Sequence, residues 1–249
     1  MIAWRIHHKA ETVSTNLDAQ AGCHGDVFTA DFQTAGRGRL DHKWLSPPKT
    51  NLMMSVVLSV EGLSPAQVST LPLVIGLAVI KALQRVFSEE KDSGRETGDL
   101  KLKWPNDVLV DGRKIAGILC ERQGENVIAG IGVNVGQTEF DKEIADRATS
   151  LALVRPALVF RLPSSVLSVR TAILCELDRW YSLWRPSGFG AVYPEIAAID
   201  YLEGREISVW QTDDDVAPHI GVSNGIMPDG SLDVGGTKVY AGEAHVEKS

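Results

Sequence analysis

Cysteine is scarce in this sequence and scattered. Cys23, Cys120 and Cys175 lie far apart, with no metal-ligand spacing and no even count suited to a disulfide framework, so they read as reduced, buried, inert thiols. A surplus of positive charge is also missing: 32 acidic against 25 basic residues leave a net charge of −7, which excludes a broad nucleic-acid-binding face and hence DNA as a partner. The N-terminus, Met1-Ile2-Ala3-Trp4-Arg5, lacks the apolar core of a signal peptide, and the longest apolar run, Leu71 to Ile80, is about half of what a membrane span needs. The expected location is the cytoplasm, with no membrane association. Several catalytic signatures are absent as well. There is no Walker loop, the Gly-x-Gly pairs lack the dinucleotide-binding context, and neither a Gly-x-Ser-x-Gly elbow nor a paired Cys and His supplies a protein nucleophile. Catalysis would then rest on positioning and on charge stabilisation of an in-line attack.

What is present is an ordinary globular composition, 44% hydrophobic and 23% charged, in a chain of 249 residues long enough for one large domain or one domain plus a small appendage. One stretch, Gln33-Thr-Ala-Gly-Arg-Gly-Arg-Leu-Asp-His-Lys-Trp44, calls for a functional explanation. It sets Gly36 and Gly38 beside Arg37 and Arg39 directly after a β-like run. Glycine lets backbone N–H groups approach a ligand, and arginine offers a rigid fork of donors matched to phosphate or carboxylate. Four such residues alone would equally suit a solvated basic turn, and Trp44 suits either stacking on a nucleobase or simple core packing.

Taken in order, Ile2 to His8 reads as a first strand, and Ser14-Thr15-Asn16 as the start of a helix at Leu17 to Ala21. Those hydroxyls either cap the helix or face a ligand. Val27 to Gln33 and Leu52 to Val60 read as strands; Ser64-Pro65 opens a helix running to about Phe87. Gly94 to Gly98 falls in an exposed loop. Leu100 to Lys103, then Trp104-Pro105-Asn106-Asp107, lead to a strand at Val108 to Val110, a hairpin turn at Asp111-Gly112, a returning strand at Lys114 to Leu119, and a further strand at Val127 to Val133. Ser164, as cap, begins a second long helix to Trp184. From Glu203 onward, short strands at Ile207 to Trp210, Ile220 to Val222, Ser231 to Val234 and Lys238 to Tyr240 alternate with turns such as Pro228-Asp229-Gly230. The fold expected is α+β, a mixed sheet with helices on one side (residues 1–202) and a small C-terminal β-barrel or sandwich (residues 203–249).

A second cluster of chemistry lies on the hairpin. Lys101, Lys103 and Lys114 surround Asn106 and Asp107, and one carboxylate with an adjacent amide suits Mg²⁺ on a phosphate chain. Lys114, at a strand start between a turn and an apolar run, could aim its ammonium into a pocket. With the arginine-glycine loop this implies nucleotide chemistry at an acyl or phosphoryl centre.

Gly36-Arg37-Gly38-Arg39 with Trp44, Lys103-Trp104-Pro105-Asn106-Asp107 and Lys114-Ile115-Ala116-Gly117-Ile118-Leu119 resemble, in order, the signature of bacterial biotin protein ligases. Ser14-Thr15-Asn16, Gln33 and Gly130 to Asn134 fall where that family has them, and the C-terminal β segment looks like its SH3-like domain. The resemblance implies that ATP and biotin give biotinyl-5′-adenylate and pyrophosphate, and that biotin then passes to one lysine of a carboxylase's biotin carrier domain, with no tightly bound cofactor. Ser14, Thr15, Asn16 and Gln33 would bind the biotin head. Gly36, Arg37, Gly38 and Arg39 would cover the carboxylate and phosphate, with Gly117 and Gly132 giving backbone clearance. Arg37, Arg39, Trp44, Lys103, Asn106 and Asn134 would meet the nucleotide, Lys114 would polarise the reacting oxygens with Arg39, and Asp107 would help hold Mg²⁺. Sheet-to-sheet homodimers belong to the same resemblance, although no residue here selects that surface.

The resemblance has departures. Many members continue the loop with further Gly and Arg, whereas here it reads Leu40-Asp41-His42-Lys43. Binding energy on the order of 1 to 3 kcal/mol for a charge-assisted contact would be missing, so faster escape of the adenylate is expected. Ser14 follows closely on Met1, so a monofunctional type without the N-terminal DNA-binding domain, and no repressor role, is expected. Two rivals stand beside this reading: a lipoate or octanoate ligase of related fold, and a non-catalytic effector-binding protein using Arg37 and Arg39.

Overall fold

Two sheets carry the chain in a computed structural model that describes residues 1–40, 42–88, 99–159, 164–211 and 217–247. The expected loop at Gly94 to Gly98, Asp41 and the side chain of Ser164 lie outside the described residues. The first sheet contains β1 (Arg5–Thr12), β2 (Asp26–Gln33), β3 (Leu52–Ser59), β4 (Leu100–Lys103), β5 (Asp107–Val110), β6 (Arg113–Gln123) and β7 (Asn126–Val133). Its order is β1-β2-β3-β7-β6-β5-β4, with β1 parallel to β2 and every other pairing antiparallel. The hairpin between β5 and β6 forms at the expected turn, where Asp111 (φ 49°) and Gly112 (φ 77°) both take the left-handed conformation that two-residue hairpins require.

The helical segments are α1 (Thr15–Asp18), α2 (Pro65–Ser69), α3 (Leu71–Ser88), α4 (Leu151–Val154), α5 (Pro156–Val159), α6 (Ser164–Ser187) and α7 (Tyr193–Ala197). Ser64 caps α2 by accepting from Gln67 N–H at 3.2 Å, and Pro65 occupies the first turn, where no amide is needed. A breath at Thr70 then separates α2 from α3. Together, Pro65–Ser88 is long and apolar enough to cross a membrane by length and composition alone, and two-thirds of its most apolar 18 residues are buried in the protein. It is the core helix, packed between the sheet and α6, where Leu71, Ile75, Leu77, Ile80 and Leu83 are fully buried. Each such side chain contributes roughly 1.5–3 kcal/mol on burial. Trp184 of α6 is also fully buried, and its indole N–H donates to Thr70 Oγ1 at 2.9 Å.

The long helices share one face of the sheet, as expected. The short α1 and the turn after it take the other, where Ala19 meets Val57, Ile128 and Phe28. That second face carries the candidate site. Strand β1 begins later than Ile2 because Ile2 N–H donates to Asp178 of α6 at 2.5 Å, drawing the first residues off the sheet. Buried, inert thiols are not what the structure has: Cys23 and Cys175 are exposed, and only Cys120 is pushed up, to about 12, by burial.

The second sheet contains β8 (Glu206–Trp210), β9 (His219–Ile226), β10 (Leu232–Val234), β11 (Thr237–Val239) and an unexpected β12 (Glu243–Val246). Its antiparallel order is β11-β10-β9-β8-β12, so among the described residues the ends do not pair and the barrel is not closed. It still suits a small SH3-like unit. Asp200, buried just before it, accepts from Leu202 N–H and Ile226 N–H at 2.9 and 2.7 Å and ties the two sheets together.

Asp26 anchors the start of β1. Its carboxylate accepts from Cys23 N–H at 2.8 Å and meets His7 at 3.0 Å and Arg5 at 2.8 Å, and these contacts hold its pKa far below the ordinary 3.8. A depressed carboxylate stabilises the fold fully above its unfolded value, and the contribution is lost as pH falls below it. Asp26→Asn is therefore expected to lower Tm by a few degrees at pH 7. Calorimetry of both proteins should show that gap narrowing once the pH drops below 3.8.

Candidate active site

Strand β2 delivers the glycine-arginine loop, and the loop closes on itself. Gly38 N–H donates to His42 O at 2.7 Å, Trp44 N–H to Gly36 O at 2.9 Å, and His42 N–H to Arg39 O at 2.9 Å. Gly36 is required there: a Cβ would strike the Trp44 carbonyl and stand 2.9 Å from Gln33 Nε2. A cleft of about 580 Å³ opens between this loop and Leu119 of β6.

The two distant cationic pieces meet. Arg39 donates through Nη1 to Asn106 Oδ1 at 3.3 Å, while Lys114 Nζ stands 2.7 Å from Asp107 Oδ1 on the neighbouring residue. Arg39 also donates through both Nη atoms to Gly242 O of the second sheet, at 3.2 Å each. Burial lowers the pKa of Arg39, against the pull of Asp107 and Glu243. It lowers that of Lys103 as well, where Asp107 and Glu243 oppose the shift and Lys114 adds to it. Asn106 is fixed on both sides, its Nδ2 donating to Ile118 O at 2.8 Å and its own carbonyl accepting from Ile118 N–H at 3.0 Å. Three cations opposed by the two carboxylates Asp107 and Glu243 make a site built for a polyanion.

A polar pocket lies at the other end of the same face. Gln33 Oε1 accepts from Thr15 N–H at 2.8 Å and Thr15 Oγ1 at 3.0 Å; Ser55 stands 2.7 Å from Thr15 Oγ1 and donates to Asn16 Oδ1 at 2.6 Å. Glu121 accepts from Asn16 Nδ2 at 2.6 Å and pairs with Arg37 at 2.9 Å. Ser14 is buried at the helix start but makes no cap bond, so of the two roles open to it the capping one is not made. Between pocket and cations the floor is glycine. Gly117 and Gly132 pair across β6 and β7, and the Trp44 ring lies on them, within 2.5 Å of where a Cβ on Gly132 would be. Among the described residues the buried Trp44 indole N–H has no hydrogen-bond partner.

Residues 6–137 match the model of the biotin/lipoate A/B protein ligase family, just over half of the chain. The chain belongs to this family. It is 34% identical over 205 residues to the biotin–[acetyl-CoA-carboxylase] ligase of Mycobacterium tuberculosis, covering 80% of this chain and 70% of that protein. It is 36% identical over 135 residues to the bifunctional ligase/repressor BirA of Bacillus subtilis, which covers 51% of this chain but only 38% of that protein's length. Among solved structures, a biotin protein ligase from Aquifex aeolicus in complex with biotin and ATP superposes with a TM-score of 0.79 at 28% identity, covering 98% of this chain and 99% of that one.

In this family member the structure brings Thr15, Asn16, Gln33, Arg37, Arg39, Trp44, Lys103, Asn106, Asp107, Lys114, Gly117 and Gly132 to one face. Asn134 is placed differently. It is buried, its Nδ2 donating to Thr149 O at 3.0 Å and its Oδ1 accepting from Asn51 at 3.5 Å, so its side chain is engaged by protein and pins residues 149–151 to the sheet. Ser55, Glu121 and Gly242 were not singled out from sequence. Ser55 was visible as a polar residue inside an apolar strand, and Glu121 lies two residues beyond Leu119 on the same strand face; Gly242 carries no such signal. Among the described residues no group of three or more His, Cys, Asp or Glu could hold a metal. Asp107 faces Lys114 in the ligand-free protein.

Gly132→Ala is expected to push the Trp44 ring off the floor. Trp44 sits on a surface loop, so the loop shifts rather than the core: Tm should move by less than about 2 °C, below the roughly 2–12 °C that 1–3 kcal/mol of buried overpacking would bring. Acrylamide quenching, taken as the difference between Gly132→Ala with and without Trp44→Phe, should report a newly exposed indole.

Proposed function

We propose that the protein is an ATP-dependent, AMP-forming biotin protein ligase acting on a carboxylase's biotin carrier domain. The observation that carries this is the convergence of Arg39 on Asn106 and of Lys114 on Asp107, neighbouring residues of one turn. In the first step a biotin carboxylate oxygen attacks the α-phosphorus of ATP and pyrophosphate leaves. In the second, the carrier lysine amine attacks the acyl carbon of the adenylate, loses its proton and expels AMP. The chain supplies no nucleophile to either step; its residues place and neutralise charge.

Thr15, Gln33 and Asn16 form the polar pocket for the ureido head, and the glycine floor lets the ligand lie close to the sheet. Lys114 and Arg39 then stand at the junction of carboxylate and α-phosphate, where negative charge builds as the new P–O bond forms. Mg²⁺ enters with the phosphates of ATP, as a companion of the substrate. Residues 1–202 would form the catalytic unit and 203–249 the appended sheet, with the cytoplasm as the working compartment. A lipoate ligase would use the same phosphate chemistry. The relatives, a biotin–[acetyl-CoA-carboxylase] ligase and a biotin protein ligase holding biotin and ATP, favour biotin.

Lys114→Ala is expected to lower biotin-dependent pyrophosphate exchange by about a hundredfold or more, in line with removing a charge-stabilising donor. Tm should change little, because a partly exposed ion pair is worth only about 0–1 kcal/mol. Mass spectrometry of a carrier domain incubated with ATP and either biotin or lipoate should show the biotin mass shift alone. A lipoyl adduct in its place would overturn the assignment.

A further inference from the structure

Glu121 stands on the same face of β6 as Gly117 and Leu119, and its two oxygens serve different elements. Oε2 accepts from Asn16 Nδ2 of α1 at 2.6 Å, and Oε1 meets Arg37 Nη2 of the loop at 2.9 Å. Among the described residues Arg37 has no other ion pair. Asn16 is confined on its other side by the Ser55 hydroxyl and by Gly130, whose missing side chain leaves the space that Asn16 Oδ1 occupies. One carboxylate thus ties the floor of the head pocket to the loop that covers it.

We propose that Glu121 is a positioning residue for the first substrate. It sets the Asn16 amide and draws the Arg37 loop down before any ligand arrives, so that pocket and loop are already in register. The two ties differ in strength. The Arg37 pair is partly exposed, with 47% and 31% of the side chains accessible, and such a pair shifts an equilibrium by about fivefold at most. The Asn16 contact is a short charge-assisted bond in a part-buried pocket, and losing it leaves an amide without an acceptor. Pre-ordering of this kind appears in substrate affinity more than in turnover.

The proposal rests on the biotin reading for the identity of the substrate, while the tie itself belongs to the ligand-free chain. The test uses full-length protein and two variants. Glu121→Ala removes both ties and should raise KM for biotin about tenfold, with kcat within about twofold. Glu121→Gln keeps an acceptor for Asn16 and removes the charge facing Arg37, so KM should rise by about fivefold at most and stay below that of Glu121→Ala. In the absence of ligands, trypsin should cut after Arg37 and Arg39 about fivefold faster in both variants, and saturating biotin with ATP should protect all three proteins equally. An unchanged biotin KM in Glu121→Ala, or parental loop cleavage in both variants, would overturn the proposal, as would a parallel fall of kcat and Tm in both. Should Glu121→Ala fail to fold, cleavage of Glu121→Gln alone decides the loop tie. Absence of biotin-dependent pyrophosphate exchange in the parent would count against the biotin reading, and the ligand-free cleavage comparison would still decide the tie.

Discussion

A single extra residue in β6 decides which way Lys114 points. The pairing of β5 with β6 runs Asp107 to Gly117 and Val108 to Ala116, then slips so that Leu109 faces Lys114. Ile115 is the residue left over, and both Ile115 and Ala116 are fully buried although they are adjacent in sequence. In a regular strand Lys114 and Gly117 would lie on opposite faces. The bulge reverses that parity, and the Lys114 ammonium comes within 3.2 Å of where a Cβ on Gly117 would be. Bulges re-aim side chains in this way beside active sites. Without it the lysine would face the helices, and the glycine floor would have no cation at its end.

Once Lys114 is on that face, the remaining arrangement follows from electrostatics. Two unit charges about 4 Å apart interact by roughly 4 kcal/mol at the effective dielectric of a protein surface, so Arg39, Lys103 and Lys114 cannot be gathered without partners. Asp107, Asn106 Oδ1 and Gly242 O take that role in the ligand-free protein. They leave a positive excess that a phosphate chain can meet. Because the donors are already oriented, the reaction need not reorganise them.

Much of this was legible in the residues. Asp111-Gly112 announced the hairpin and Ser64-Pro65 the helix start, because each depends on torsion preferences or caps a few residues long. What escaped was set by distant partners. The register slip at Ile115 is fixed by pairing with β5 and by core packing, and it leaves no mark in composition. Glu121 meets Asn16 across 105 positions and Arg39 meets Gly242 across 203, separations at which local pattern carries nothing. Ser14 was left open between two roles for a related reason: its position is that of a cap, but it is buried in the sheet's second face and its side chain makes no bond to the helix amides.

The contact at Gly242 also explains why the small second sheet belongs to the site. It reaches Arg39 through a backbone carbonyl, which makes the contact depend on the path of the chain and not on a side chain. That path is tightly specified. Gly242 has φ 143°, and a Cβ there would stand 2.6 Å from Trp210 O, so the turn into β12 presents its carbonyl only while the residue is glycine. Asp200 bonding Ile226 N–H, and Trp104 Nε1 donating to Gly230 O at 3.2 Å, hold that sheet against the first. Trp104 is the first residue of the tetrapeptide that carries Asn106 and Asp107. The same short segment thus fixes the second sheet at one end and the cation cluster at the other, so a shift of the sheet moves the acceptor of Arg39 relative to Asn106.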